Sequence, residues 1–132
     1  GADFTDARMV LVCFIDTDLR GAIFRNCDMS KSILQGCDLR EAFLEHVEAV
    51  EARWAKSDLS RARLMGVNLG QGSLRMATLY GADLRGANLF GVDFYKARLD
   101  RHTQLDGANL KRAVFLQTFM DTPEHDTGGR DA

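Results

Sequence analysis

Gly81–Phe94 reads GADLRGANLFGVDF. Within it every fifth residue is large and apolar: Leu84, Leu89, Phe94. Two places before each stands a small one (Ala82, Ala87, Val92), with a polar residue between. A spacing of five fits neither the 3.6-residue turn of an α-helix nor the plain alternation of a strand. A fixed repeat governs every later assignment, because each unit is one structural element of an array.

Counting in fives from Phe4 carries the pattern to Leu99, and after a slip of one residue it resumes at Leu105 and runs to Met120. That makes 24 central positions, of which only Ala49 is small. The residue two places earlier is Ala, Val, Thr, Ser, Cys or Gly in every case, and Ala in twelve of them. All 36 Asp, Glu, Lys and Arg lie outside these 48 positions, although they make up 27% of the chain. An unpaired buried charge is very costly, so the charge-free set marks the interior.

Small-polar-large is therefore in-out-in, the alternation of a three-residue strand. The two residues left over make a corner, often ending in Gly (Gly21, Gly36, Gly66, Gly81, Gly86, Gly91, Gly107), which tolerates positive φ. So short a strand must stack on an equivalent one a coil away, at about 4.8 Å, in a parallel ladder. The product is a solenoid cored by columns of side chains. The period alone leaves the number of strands per coil open. The recurrence of Asp18, Asp38 and Asp58, and of Arg20 and Arg40, at twenty favours four.

The unit resembles the A(D/N)LXX pattern of the pentapeptide-repeat family, and Ala82–Leu89 match it letter for letter. The resemblance spans about residues 1–122. It implies an all-β fold, a right-handed quadrilateral parallel β-helix of about six coils and roughly 29 Å. Phe14, Leu34, Trp54, Leu74, Phe94 and Phe115 are then expected to stack on one face, with Ala49 a thin spot one face before Trp54. The break at Asp100–Gln104, DRHTQ, is expected to be a one-residue corner bulge with His102 as the extra residue. Residues 123–132, opening with Pro123, are expected to form a polar, mobile tail. Gly1 in place of Met, followed at once by a repeat unit, suggests a domain of a longer protein; the alternative is that Gly1 alone is foreign.

Nineteen acids against seventeen bases give no strong field, so charge nominates neither nucleic acid nor membrane as a partner. No apolar run approaches the roughly 18 residues of a membrane span, and no signal peptide is visible. Neither catalysis nor a cofactor is expected. His46, His102 and His125 pair with no nucleophile, and the glycines are corner residues rather than a phosphate loop. Cys27 and Cys37 fill small inward slots on opposite faces and Cys13 points outward, a spacing that matches no zinc motif. Reduced structural thiols imply a reducing compartment, the cytoplasm. Asp18, Asp38 and Asp58 with Arg20 and Arg40 are expected to form an exposed salt-bridge mesh rather than a cation site.

Function has two expectations of different class. Outward positions should be polar, yet Val10, Leu11, Cys13, Ile15, Ile33 and Val50 gather near the N-terminal coils, and Phe90, Tyr95, Val114, Leu116 and Phe119 near the other end. Val10, Leu11, Cys13, Ile15, Ile33, Val50, Phe90, Tyr95 and Leu116 are the candidate interface of a non-catalytic interaction or scaffold module. Its partner would be the rest of a parent chain, a second copy, or another protein. The run Gly107–Phe115, GANLKRAVF, after ADLRGANLFGVDFYKARL, is similar to repeat domains of bacterial type VI secretion accessory proteins, which implies a secretion-associated parent. The alternative implied by the family is a DNA mimic that binds a topoisomerase such as gyrase. A mimic needs a dominant acidic surface. Sorted by face, acids against bases stand at 5 to 3, 3 to 4, 2 to 4 and 6 to 5, so no face is an acidic stripe. An enzyme is the least supported reading, for want of a deep pocket.

Overall fold

The computed structural model describes residues 2–122; the tail expectation, with Pro123 and His125, lies outside the described residues. Four ladders of parallel bridges carry the chain. The first joins Asp3, Ile23, Phe43, Arg63, Asp83 and Gln104; the second, Arg8, Asp28, Glu48, Asn68, Asn88 and Asn109. The third joins Cys13, Ile33, Arg53, Ser73, Asp93 and Val114; the fourth, Asp18, Asp38, Asp58, Thr78, Arg98 and Phe119. They define faces one to four in chain order. Most rungs are single bridges. Four widen into strands, β1 (Cys13–Ile15) paired with β2 (Ile33–Gln35) and β3 (Arg98–Asp100) paired with β4 (Phe119–Asp121).

The hydrogen bonds explain why the unit has five residues. The polar residue's N–H reaches back one coil, as Ile23 N to Ala2 O at 2.8 Å. The central residue's N–H reaches forward, as Phe24 N to Phe43 O at 2.7 Å, and so does that of the second corner residue, as Asn26 N to Glu45 O at 3.1 Å. The next small residue closes the corner, Cys27 N to Phe24 O at 3.0 Å. That leaves the N–H of the first corner residue without a ladder partner, and the polar position supplies one. Asp18 Oδ1 accepts from Arg20 N, Asp38 Oδ1 from Arg40 N, Asn68 Oδ1 from Gly70 N, and Asp93 Oδ1 from Tyr95 N. The Asp or Asn of the repeat is thus a backbone cap, the Asx turn that these side chains favour.

The corner bond spans three residues with positive φ at the third of four, the signature of a type II turn. Glycine is not its prerequisite. Among the described residues seven glycines adopt this conformation, but so do fifteen others, Leu11 at φ 66° among them. The repeated ladder imposes the turn and local propensity yields to it.

The core follows the repeat. Central residues from Phe24 to Phe94 are fully buried, and Leu19 and Leu99 nearly so. Trp54 is the largest, and its Nε1 donates to buried Ser32 Oγ at 3.0 Å. Ala49 in the same coil is also buried, so the thin spot stands beside the bulkiest side chain. Gly72 occupies the small slot one coil beyond Trp54; a Cβ there would stand 2.7 Å from Ala52 O and 2.8 Å from Leu69 O. Stacked rings close two columns, Phe4 on Phe24 at 5.1 Å and Phe94 on Phe115 at 4.7 Å. Phe115 and Met120 occupy central positions but remain exposed, at 44% and 69%, because among the described residues no coil follows theirs.

The ladder spacing changes from 20 to 21 at Asp83–Gln104 and stays there. Three residues, Asp100–Arg101–His102, span the corner where two stand elsewhere. Asp100 holds it. Gly81 N would regularly donate to a carbonyl of the next coil, as Gly21 N does to Arg40 O; instead it donates to Asp100 Oδ1 at 3.1 Å. His102 N donates to the same oxygen at 3.0 Å, and Thr103 Oγ1 donates to Leu79 O at 2.7 Å. Asp100 is 2% exposed, and its Oδ2 has no hydrogen-bond partner among the described residues.

Candidate functional site

The period of twenty sorts the outward residues into columns. Val10, Val50 and Phe90 share the corner column that enters face three, with Leu11 beside Val10. Cys13 and Ile33 lie on its central ladder. Ile15, Tyr95 and Leu116 share the column that leaves it. All nine candidate interface residues, two clusters in the sequence, therefore fall on one face and its bordering corners. Their exposure is uneven. Leu11, Ile15 and Leu116 are open at 69%, 57% and 59%, while Ile33, Val50, Phe90 and Tyr95 are half-buried against neighbouring coils.

Between the apolar ends the face sinks. A shallow groove of about 1080 Å³ runs over Ile33, Arg53, Ala55, Gly72, Ser73 and Asp93. The short outward side chains of its middle rungs, Ala55 and Ser73, deepen it between Ile33 and Tyr95 on the flanking rungs. Asp93 accepts from Arg75 Nη1 at 2.7 Å, and the Arg75 guanidinium lies 4.3 Å from the centre of the Tyr95 ring. Arg53 is exposed, and no salt bridge joins it to any described residue. The groove residues escape a reading by unit, which marks Arg53 and Ser73 only as polar. Reading every twentieth residue, Cys13, Ile33, Arg53, Ser73, Asp93, exposes them.

The other faces are tied up within themselves. On face four Arg20 forks onto Asp18 at 2.7 Å and lies 3.7 Å from Asp38, and Arg40 does the same to Asp38 and Asp58. The Arg20 side chain, followed by its N–H, holds the Asp18 carboxyl at about 2. On face one Glu45 binds Arg25 and Arg63 at 3.1 Å each, and both guanidinium groups lie over Phe43. On face two Asn109, Asn88, Asn68 and Glu48 form a side-chain ladder. Tyr80, Arg98 and Asp121 form a fourth cluster, with Arg98 Nε 2.9 Å from Asp121 Oδ2.

The thiols divide as their positions require. Cys27 Sγ donates to Phe4 O at 2.8 Å and Cys37 Sγ to Phe14 O at 3.3 Å, and burial pushes both pKa values up. Both are protonated, inert core groups. Cys13 is exposed on face three. His46 lies at an outward corner beside Gly66, and His102 in the three-residue corner. Among the described residues no group of His, Cys, Asp or Glu is arranged to hold a metal ion, and no helix is long and apolar enough to cross a membrane.

A five-residue unit, four parallel ladders and Asx-capped corners define a short-strand solenoid. The chain belongs to the pentapeptide-repeat family, whose model, described as pentapeptide repeats, matches in eight copies over residues 13–48 and 73–101. Among solved structures it is similar to HetL, a pentapeptide-repeat protein involved in heterocyst differentiation regulation in the cyanobacterium Nostoc sp. strain PCC 7120. The two are 26% identical over 87% of this chain and 58% of HetL, with a TM-score of 0.57. It is also similar to Rfr23 from the cyanobacterium Cyanothece 51142, 24% identical over 86% of this chain and 84% of that one, TM-score 0.62. A third is QnrB1, a plasmid-mediated fluoroquinolone resistance protein, at 20% identity over 96% and 80%, TM-score 0.50. The last two likenesses concern the fold alone, and this chain spans only 58% of the length of HetL. No curated protein matches the sequence.

Proposed function

We propose that this chain is a non-catalytic protein-interaction module and that face three is its contact surface. The coil behind it is taken as right-handed, with about six turns, as in the family it belongs to. The observation that carries the reading is the convergence of nine outward apolar residues on one face, while on faces one, two and four polar side chains pair with one another. Leu11 adds a second support. It holds φ 66°, where a leucine costs roughly 1–2 kcal/mol, and it is 69% exposed. The ladder imposes that turn here as at fourteen other non-glycine positions, so it is the exposed apolar side chain, not the φ, that contact with a partner would explain. The partner is the remainder of a parent chain, a second copy or another protein in the cytoplasm, and the likeness of the run Gly107–Phe115 to secretion accessory repeats supports a secretion-associated assembly. The want of a dominant acidic face argues against the DNA-mimic alternative.

Leu11→Gly tests the reading because it separates contact from stability. Glycine relieves the turn strain, and its extra chain entropy offsets that gain, so the melting temperature should change by no more than about 2 °C. The complex formed in the source cell, followed by size-exclusion chromatography of the tagged full chain, should be weakened or lost. An unaltered complex would remove Leu11 and its end of face three from the contact.

A further inference from the structure

Resting on the reading of face three as a contact surface, we propose that its central part binds a second copy of this chain, antiparallel, about a two-fold axis through Ser73. The argument is the order of side chains on the ladder. Ile33, Arg53, Ser73, Asp93 and Val114 read apolar, positive, small, negative, apolar. Reversing that order about Ser73 sets Arg53 against Asp93, and Ile33 against Val114, twice each. A two-fold interface must be self-complementary in this way, with residue i meeting j and j meeting i.

The bordering columns agree. An axis across the face keeps each column opposite its own copy and reverses the order of rungs. Val50 then meets Phe90 in the entering column, and Ala55 meets Tyr95 in the leaving one. Each pair sets a smaller side chain against an aromatic one. The groove over Ala55 and Ser73 is the space into which the larger residues of the partner's next rung project. Asp93 has acceptor capacity to spare: Oδ2 takes Arg75 and Oδ1 takes Tyr95 N, one donor each, and a carboxylate accommodates about four. Arg53 has no salt bridge to a described residue and is exposed at the position the opposite carboxylate reaches.

Three pairings oppose the arrangement. Arg75 meets its own copy on the axis, each neutralised by its bond to Asp93. Lys31 meets Arg112 at one rim, and Lys56 meets Lys96, both exposed, at the opposite rim. Exposed like charges matter little there. A single narrow face is a small interface, so the dimer belongs to the weak, transient class, with dissociation in the micromolar range.

The experiment is sedimentation velocity on the full chain across micromolar concentrations, comparing wild type with Arg53→Glu, Asp93→Arg and the double variant. The wild type should show reversible dimerisation. Each single variant should weaken it by about tenfold or more, and the double variant should bind more tightly than either single one, though short of wild type because Arg75 loses its bond to Asp93. Arg53→Glu faces solvent, and a native circular dichroism spectrum confirms that each variant is folded. A wild type monomeric throughout, or folded single variants that dimerise as the wild type does, would overturn the proposal. So would a folded double variant that dimerises no better than either single one. Leu11 and Ile15 lie one rung beyond the overlap, so Leu11→Gly should leave this dimer intact. Loss of dimerisation in Leu11→Gly with none in Arg53→Glu would place the self-contact at the apolar end instead. The two readings of face three thus fail separately.

Discussion

Leu84→Asp should unfold the coil rather than soften it. Leu84 is fully buried, and the residues above and below it in its column are Leu64 and Leu105. Removing the side chain forfeits roughly 1.5–3 kcal/mol of burial. Adding a carboxylate with no partner costs several kcal/mol more, even after relaxation. The sum approaches the roughly 5–15 kcal/mol that holds a whole domain. A solenoid has no alternative core to fall back on, because each coil rests only on its neighbours. Far-ultraviolet circular dichroism should lose its β signal at 25 °C. The matched exposed change, Arg85→Asp, sits one residue away at a corner and should leave the spectrum intact. A native spectrum and melting curve for Leu84→Asp would show that the in-out register is wrong.

Single-residue deletions should give equally unlike results at two corners. Deleting Arg85 leaves one residue between Leu84 and Ala87, where the corner bond Ala87 N to Leu84 O needs two. Every unit downstream then arrives one residue early, and a one-residue slip turns inward side chains outward. Removing His102 does the opposite. It reduces Asp100–Arg101–His102 to two residues and returns the spacing of the last ladder rungs from 21 to 20. That deletion should cost no more than about 1–2 kcal/mol, chiefly through the bonds that Asp100 makes at the wide corner. Chemical denaturation of the two deletion variants separates these outcomes. Equal loss in both would mean that the third corner residue is as necessary as the two ordinary ones.

The sequence was most informative about the interior. Large and small residues at fixed places, with every charge elsewhere, can be read without coordinates because burial tolerates neither charge nor the wrong size. The recurrence of Asp18, Asp38 and Asp58 likewise anticipates a coil of twenty. Three things could not be read that way. The corner turn looked like a place for glycine, but Leu11, Met76 and Gln117 adopt it too, because ladder bonds on both sides outweigh the local preference. The capping role of Asp and Asn depends on which N–H the ladder leaves over, which only the pairing shows. The proposed contact face was half legible. Its apolar residues stand out singly, but Val10 and Phe90 are eighty residues apart and share a column only once the coil is closed. Arg53 and Ser73 carry no signal until read as neighbours of Ile33 and Asp93 on one ladder.

Face-resolved photo-cross-linking addresses the contact surface most directly. A benzoylphenylalanine replaces Ile15, exposed on face three, or Phe43, on the opposite face under Arg25 and Arg63. The full chain is then expressed in its source cell and irradiated. Cross-linked protein from position 15 and none from position 43 is the predicted result. Cross-linking from position 43 alone, or equally from both, would contradict the assignment of face three as the surface through which this protein works.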